Sequence, residues 1–222
     1  LPPRREHKWT GLTEVIGRYV IVKVTDSDGR VGWGEAPALK DWGGEFGRYF
    51  GESAAIVKLV IENYLAPVVI GIELGNFVDL HARMDAIIKG YPYSKAALEF
   101  AIYDVTARWL GVPVHVLLGG KRSETIPVAH SIGLISIEEA QSEVRMIVRE
   151  GVKTIKVKIG QDPERDIAMV GAVRAAAGDS IDICVDANEG YATPALAVQT
   201  YRRIEPFRIK YFEQPVMGIE RI

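Results

Sequence analysis

The stretch Thr154-Ile155-Lys156-Val157-Lys158-Ile159 decides the reading of this chain. As a strand, it puts Ile155, Val157 and Ile159 on one face and Lys156 and Lys158 on the other. Around it, strand-like and helix-like runs alternate: Ile126–Ser131, Ile137–Glu150, Thr154–Ile159, Asp162–Ala177, Ile181–Asp186, Thr193–Ile204 and Ile209–Glu213. Regular alternation predicts a parallel sheet with crossover helices, which a doubly wound sheet and a β/α barrel both satisfy. Spacing favours the barrel. Ser131, Lys158, Asp186 and Glu213 each end a predicted strand, at separations of 27, 28 and 27 residues. That repeat is one β/α unit, and eight such units make a barrel of roughly 250 residues. No glycine-rich fingerprint of a dinucleotide-binding sheet stands between strand and helix.

Neither face of a barrel sheet meets bulk water. The isoleucine–valine face must pack on helices, so both lysines point inward at the strand end. Buried ammonium groups need anionic partners, and the next two strands supply them. Asp186 ends Ile183–Asp186, sharing a face with Cys184 and Asn188, and Glu213 ends Ile209–Glu213. Taken singly, a solvated lysine pair, a capping Asp186 and a surface Glu213 are ordinary. Their coincidence at one-repeat spacing, at strand C-termini, points to a site. Two carboxylates make a hard oxygen site suited to Mg2+, with Mn2+ as the alternative. A substrate carboxylate would meet the metal, and Lys156 would help offset charge as the neighbouring carbon loses its proton. Lys158, nearer the strand end, is the better-placed base. The intermediate is an enediolate.

The first third reads differently. Tyr19–Thr25 and Arg30–Glu35, joined by Asp26-Ser27-Asp28-Gly29, predict a hairpin. Leu39–Ser53, rich in glycine and aromatics, predicts a long loop. Helical periodicity covers about Ala54–Tyr64, Asn76–Ile88 and Ser94–Leu110. The last carries an apolar stripe of Ala97, Phe100, Ala101 and Val105 and an Asp104–Arg108 pair. Strands followed by helices make an α+β domain, and Gly119-Gly120 marks the joint. The 222 residues carry a net charge of -2, 48% hydrophobic content and a single cysteine, Cys184, read as buried filler. That balance points to neither nucleic acid nor an anionic membrane as partner, and to a cytoplasmic setting. Both ends read as cut, so a fragment of a longer chain is expected.

The ordered set K-x-K (Lys156, Lys158), D-A-N (Asp186-Ala187-Asn188) and F-E-Q-P (Phe212 to Pro215) resembles the enolase superfamily. It is most similar to the muconate lactonizing enzyme-like subgroup of the mandelate racemase/muconate lactonizing enzyme family. Gly32-Trp33-Gly34-Glu35-Ala36 and the passage from Ser94 to Gly120 carry the same likeness. The resemblance implies an α+β capping domain over residues 1–120. It implies the first four β/α units of a TIM-type barrel, only its first half, over 121–222. It makes Lys158 the acid/base lysine, Lys156 its electrostatic companion, and Asp186 and Glu213 the first two magnesium ligands. A third carboxylate and an opposing lysine would fall at roughly 240 and 265, beyond Ile222, leaving the fragment inactive. Loops of the capping domain would select substrate: His7-Lys8-Trp9-Thr10-Gly11 and Lys40–Phe50, with Trp9, Trp42 and Tyr49 as an apolar lid and Lys8 or His7 for a distal charge. Ser131 and Asn188 complete the substrate-binding set.

The expected activity is Mg2+-dependent abstraction of the α-proton of a small carboxylate, most simply by a racemase or epimerase of an amino-acid derivative. A muconate-type cycloisomerase and a dehydratase are alternatives. So, from other classes, are a non-catalytic metal-binding barrel and a flavodoxin-like regulatory sheet. Copies of the chain are expected to form a homo-oligomer.

Overall fold

A computed structural model describes residues 8–10, 18–40 and 50–218. The chain forms two compact units. One lies within residues 16–124; the other combines 125–222 with the segment around residues 8–10.

In the first unit, β1 (Tyr19–Thr25) and β2 (Val31–Pro37) form the expected antiparallel hairpin. Asp26 Oδ1 accepts from the amides of Asp28 and Arg30 and fixes the turn. Helix α1 (Ala54–Val60), capped by Ser53, continues through a π-helical turn, Ile61–Leu65, into α2 (Ala66–Val69). The run therefore outlasts its predicted end at Tyr64. Pro67 would clash in a regular α-helix, and the wider turn before it relieves that conflict. Helices α3 (Phe77–Ile87), α4 (Pro92–Leu110) and α5 (Val114–Leu117) follow. Asp104 and Arg108 pair at 3.1 Å as expected. The stripe on α4 needs correction. Ala97, Leu98, Ala101, Ile102 and Val105 are buried, whereas Phe100 is 54% exposed. Small residues one turn apart let the hairpin lie directly on the helix backbone. A Cβ at Gly34 would stand 1.9 Å from Ala97 O, and one at Gly32 would stand 2.1 Å from Ala101 O. Gly34→Ala is therefore expected to lower unfolding free energy by about 2–3 kcal/mol; an unchanged denaturant midpoint would contradict that contact.

The second unit is a four-stranded parallel sheet in the order β3 (Ala129–Ile132), β4 (Thr154–Lys158), β5 (Asp182–Asp186), β6 (Phe212–Glu213). Between the strands run α6 (Ile137–Arg149), α7 (Pro163–Ala177) and α8 (Pro194–Ile204). Each starts on a designed stop: a reciprocal Ser136/Glu139 capping box, then Asp162-Pro163 and Thr193-Pro194, where the cap accepts an amide and proline fills the first helical position. Strand order equals chain order, and neighbouring helices pack on one another in sequence. A doubly wound sheet would reverse direction at a switch point; an arc of a β/α barrel does not. Ile155, Val157, Ile183 and Val185 form the fully buried core with Val144, Ile147, Val170 and Val173 of the helices. Arg174 locks the far end, donating to the carbonyls of Gly178, Ile181, Phe207 and Arg208 at 2.8–3.1 Å. Among the described residues, no helix is long and apolar enough to cross a membrane.

Candidate active site

With the isoleucine–valine face committed to the helices, strand alternation sends residues 156, 158, 184 and 186 to the opposite face. Parallel register then lines them up in rows. Lys158 pairs with Asp186, and Asp186 with Glu213; one row below, Ser131 pairs with Lys156, and Lys156 with Cys184. Ser131 therefore does not stand level with Lys158, as the repeat of strand ends suggested. β3 runs one residue further, to Ile132, and its register sets Ser131 beside Lys156. Cys184 is buried, as expected.

The four charged groups converge. Lys156 Nζ lies 2.8 Å from Asp186 Oδ2 and 2.8 Å from Glu213 Oε2. Lys158 Nζ lies 2.7 Å from the same Asp186 Oδ2 and donates to Asn188 Oδ1 at 2.8 Å. The Asn188 amide donates to Asp186 Oδ1 at 2.9 Å. Asp186 is 1% exposed. Burial pushes its pKa up, but the hydrogen bonds from both lysines and from Asn188 outweigh that and hold it below the ordinary carboxylate value. Burial likewise lowers the Lys156 pKa, and the two carboxylates overcome it, leaving the ammonium above its ordinary value.

The turns beside these strands are strained. Asn188, Glu189 and Gln214 all adopt positive φ, at 45°, 63° and 42°, a region that costs a non-glycine residue about 1 kcal/mol. They hold one another: Glu189 N donates to Gln214 O at 2.7 Å, and Tyr191 N to Pro215 O at 3.2 Å. Such strain at strand ends is what a site tolerates for positioning.

The segment at residues 8–10 packs on this end of the sheet. Leu134 N donates to Lys8 O at 3.0 Å, and Thr10 Oγ1 donates to Ile159 O at 2.9 Å. The face of Trp9 lies 5.6 Å from Lys158 Nζ, within cation–π range. The Lys8 residue is exposed. His7, Trp42 and Tyr49 lie outside the described residues. His130 faces the helices and meets Glu143 Oε1 at 2.5 Å. Sequence reasoning missed Asp166 and Tyr191, and it named Thr10 only as part of the His7–Gly11 loop. Asp166 is fully buried and accepts from Tyr191 Oη at 2.9 Å. In sequence it reads only as an acidic residue in the first turn of a helix.

Tyr191 makes a pH prediction. Burial first, and then the Asp166 charge, raise its phenol pKa far above the ordinary value. A raised folded pKa means stability that is complete below the unfolded value, about 10, and lost progressively as pH rises beyond it. Unfolding midpoints should fall above about pH 10, and less steeply in Tyr191→Phe; equal slopes would contradict the buried neutral phenol.

Two carboxylates pointing at one nitrogen also define a place for a shared cation. Asp186 and Glu213 offer hard oxygens from adjacent strands, the donor type that fits Mg2+. Among the described residues, no group of three or more His, Cys, Asp or Glu side chains is arranged for a metal, so any further ligands must be water, substrate or other residues.

Residues 3–119 match the mandelate racemase / muconate lactonizing enzyme N-terminal domain, and residues 139–221 match the enolase C-terminal domain-like family. A chloromuconate cycloisomerase of Cupriavidus necator is 32% identical over 97% of this chain and 57% of its own. The crystal structure of the N-succinyl Arg/Lys racemase of Bacillus cereus superposes with a TM-score of 0.88 at 30% identity, covering 98% of this chain and 57% of that one. A dipeptide epimerase of Cytophaga hutchinsonii, solved with Mg and the dipeptide D-Ala-L-Val, gives 0.83 at 29%, over 97% and 56%. The chain spans about half the length of the curated relatives it matches. With both family matches falling in chain order and the lysine and carboxylate rows set on successive barrel strands, the chain belongs to the mandelate racemase / muconate lactonizing enzyme family of the enolase superfamily.

Proposed function

We propose that the full-length protein removes the α-proton of a small carboxylate substrate with the help of Mg2+, as a racemase or epimerase of an amino-acid derivative. One observation carries the reading: two lysines and two carboxylates from three successive strands meet within hydrogen-bonding distance at the strand C-termini. That is where barrel enzymes place their chemistry.

Asp186 and Glu213 would hold the cation. When bound, it supplies positive charge that stabilises the growing charge on the substrate carboxylate and favours the neutral form of a nearby amine. Lys158 takes the α-proton onto Nζ, oriented by the Asn188 side chain on one side and the Trp9 face on the other. Lys156 adds a second positive group toward the enediolate charge. Trp9 keeps water from the reacting amine. The amino-acid preference follows the racemase and epimerase relatives. Cycloisomerisation is the second reading, favoured by the cycloisomerase relative that aligns over nearly the whole chain.

The test is exchange of the α-proton with deuterated water, followed by NMR across N-succinyl amino acids, dipeptides and muconate, with Mg2+ and with chelator. Metal-dependent exchange of an amino-acid derivative is expected. Turnover of muconate alone would shift the assignment to cycloisomerase, and no reaction with any would remove both.

A further inference from the structure

We infer that Asp166 is a positioning residue for this site: a buried carboxylate that ties together the turns after β4 and β5 and thereby sets Lys158 against Asp186 and Asn188. The inference rests on the proposed roles of those residues. Asp166 lies in the first turn of α7 and has no exposed surface. Its Oδ2 accepts from Gly160 N at 2.8 Å, Gln161 N at 3.2 Å and Tyr191 Oη at 2.9 Å. Its Oδ1 accepts from Arg165 Nη1 at 3.1 Å, and Arg165 Nη2 donates to Ile135 O at 3.2 Å. One carboxylate–guanidinium unit thus reaches the turns that follow three consecutive strands.

Those turns leave no slack. Gly160 follows Lys158 by two residues, and a Cβ there would stand 2.3 Å from Ala187 O; a Cβ at Gly190 would stand 2.0 Å from Gly160 O. The turns after β4 and β5 therefore lie backbone on backbone. Between Asp186 and Tyr191 sit the two left-handed residues Asn188 and Glu189, and Asn188 supplies the acceptor for Lys158. Left-handed non-glycine residues persist only where their surroundings over-determine them. Asp166 is that constraint on one side of the turn, through Tyr191, and it grips the Lys158 side through Gly160. Charge-assisted bonds to fixed amides are stiff and directional. A fully buried carboxylate is a costly way to hold a turn, and its reach into the strand ends bearing Lys158 and Asp186 gives that cost a purpose.

The test compares full-length wild type with Asp166→Asn and Tyr191→Phe, and with Arg203→Ala, which breaks only an exposed pair with Glu164, as control. Backbone amides of Glu189, Gly190 and Tyr191 are expected to exchange with deuterium about tenfold faster in both site variants, with β3 and α6 unchanged. The kcat for α-proton exchange should fall about 10–100-fold with little change in KM, and Mg2+ affinity measured by calorimetry should weaken in step. Wild-type amide exchange together with wild-type kcat in Tyr191→Phe would overturn the inference, as would faster exchange spread evenly over the whole barrel unit. Should Asp166→Asn not fold, Tyr191→Phe decides alone. A wild type without any α-proton exchange defeats the proposed activity, while the amide measurement still decides the role of Asp166.

Discussion

Lys158→Met in the full-length protein is expected to lower the rate of α-proton exchange by about 10²–10⁴-fold, the usual contribution of a positioned general base, while leaving the fold intact. Lys158 is 7% exposed, and its Nζ sits between the Asp186 carboxylate, the Asn188 carbonyl oxygen and the Trp9 ring. Among the described residues no other amine has this setting: Lys156, one pleat lower, is engaged by both carboxylates. Methionine keeps the four-atom apolar stem of lysine, with sulfur in place of Cδ, and removes the basic nitrogen. Asp186 retains the Lys156 pair, so no buried charge is left without a partner. Proton NMR in deuterated water reads the effect directly. Wild-type exchange in a folded Lys158→Met protein would move the base elsewhere and leave Lys158 as a structural counter-ion.

Asp186→Asn should have the larger effect on stability, a loss of about 3–5 kcal/mol, as is usual when one partner of a buried ion pair is removed. Both lysine nitrogens bond the same oxygen of Asp186, at 2.8 and 2.7 Å, and that oxygen stands between two positive groups. Asparagine offers a weaker acceptor, or an amide that repels both. The same substitution imitates the protonated acid, which fixes the pH behaviour of the wild type. Because the folded pKa of Asp186 is depressed, its contribution is present above the unfolded value, about 3.9, and disappears as pH falls through the folded value. Denaturant melts of wild type and variant should therefore converge in strong acid and differ most near neutrality. A neutral-pH difference below about 1 kcal/mol would mean that the lysines find water rather than Asp186.

Much of this was legible in the residues because strand periodicity is unforgiving. In Thr154–Lys158, alternating apolar and basic residues leave one arrangement for a sheet whose other face is covered by helices, and the structure has it. Lys158, Asp186 and Glu213 ended up in one row because their spacing matches one β/α unit. What failed was whatever depends on more than a local period. Ser131 shifted a row because register is set by the strand pair, not by where apolar residues stop. Phe100 sat in the predicted stripe yet is exposed, because α4 turns its alanines to a hairpin whose glycines admit no side chain. Asp166 and Tyr191, 25 residues apart, could not be paired from sequence, since a long-range hydrogen bond leaves no periodic trace. The strained turn at Asn188 and Glu189 was invisible for the opposite reason: local preference argues against it, and tertiary bonds impose it.

In the proposed function, Asp186 and Glu213 hold a divalent cation between them, beside Lys158. The most direct measurement is the anomalous scattering of Mn2+ in crystals of the full-length protein. One peak is predicted, at about 2.0–2.2 Å from carboxylate oxygens of both Asp186 and Glu213. No peak there, or one that touches neither carboxylate, would contradict it.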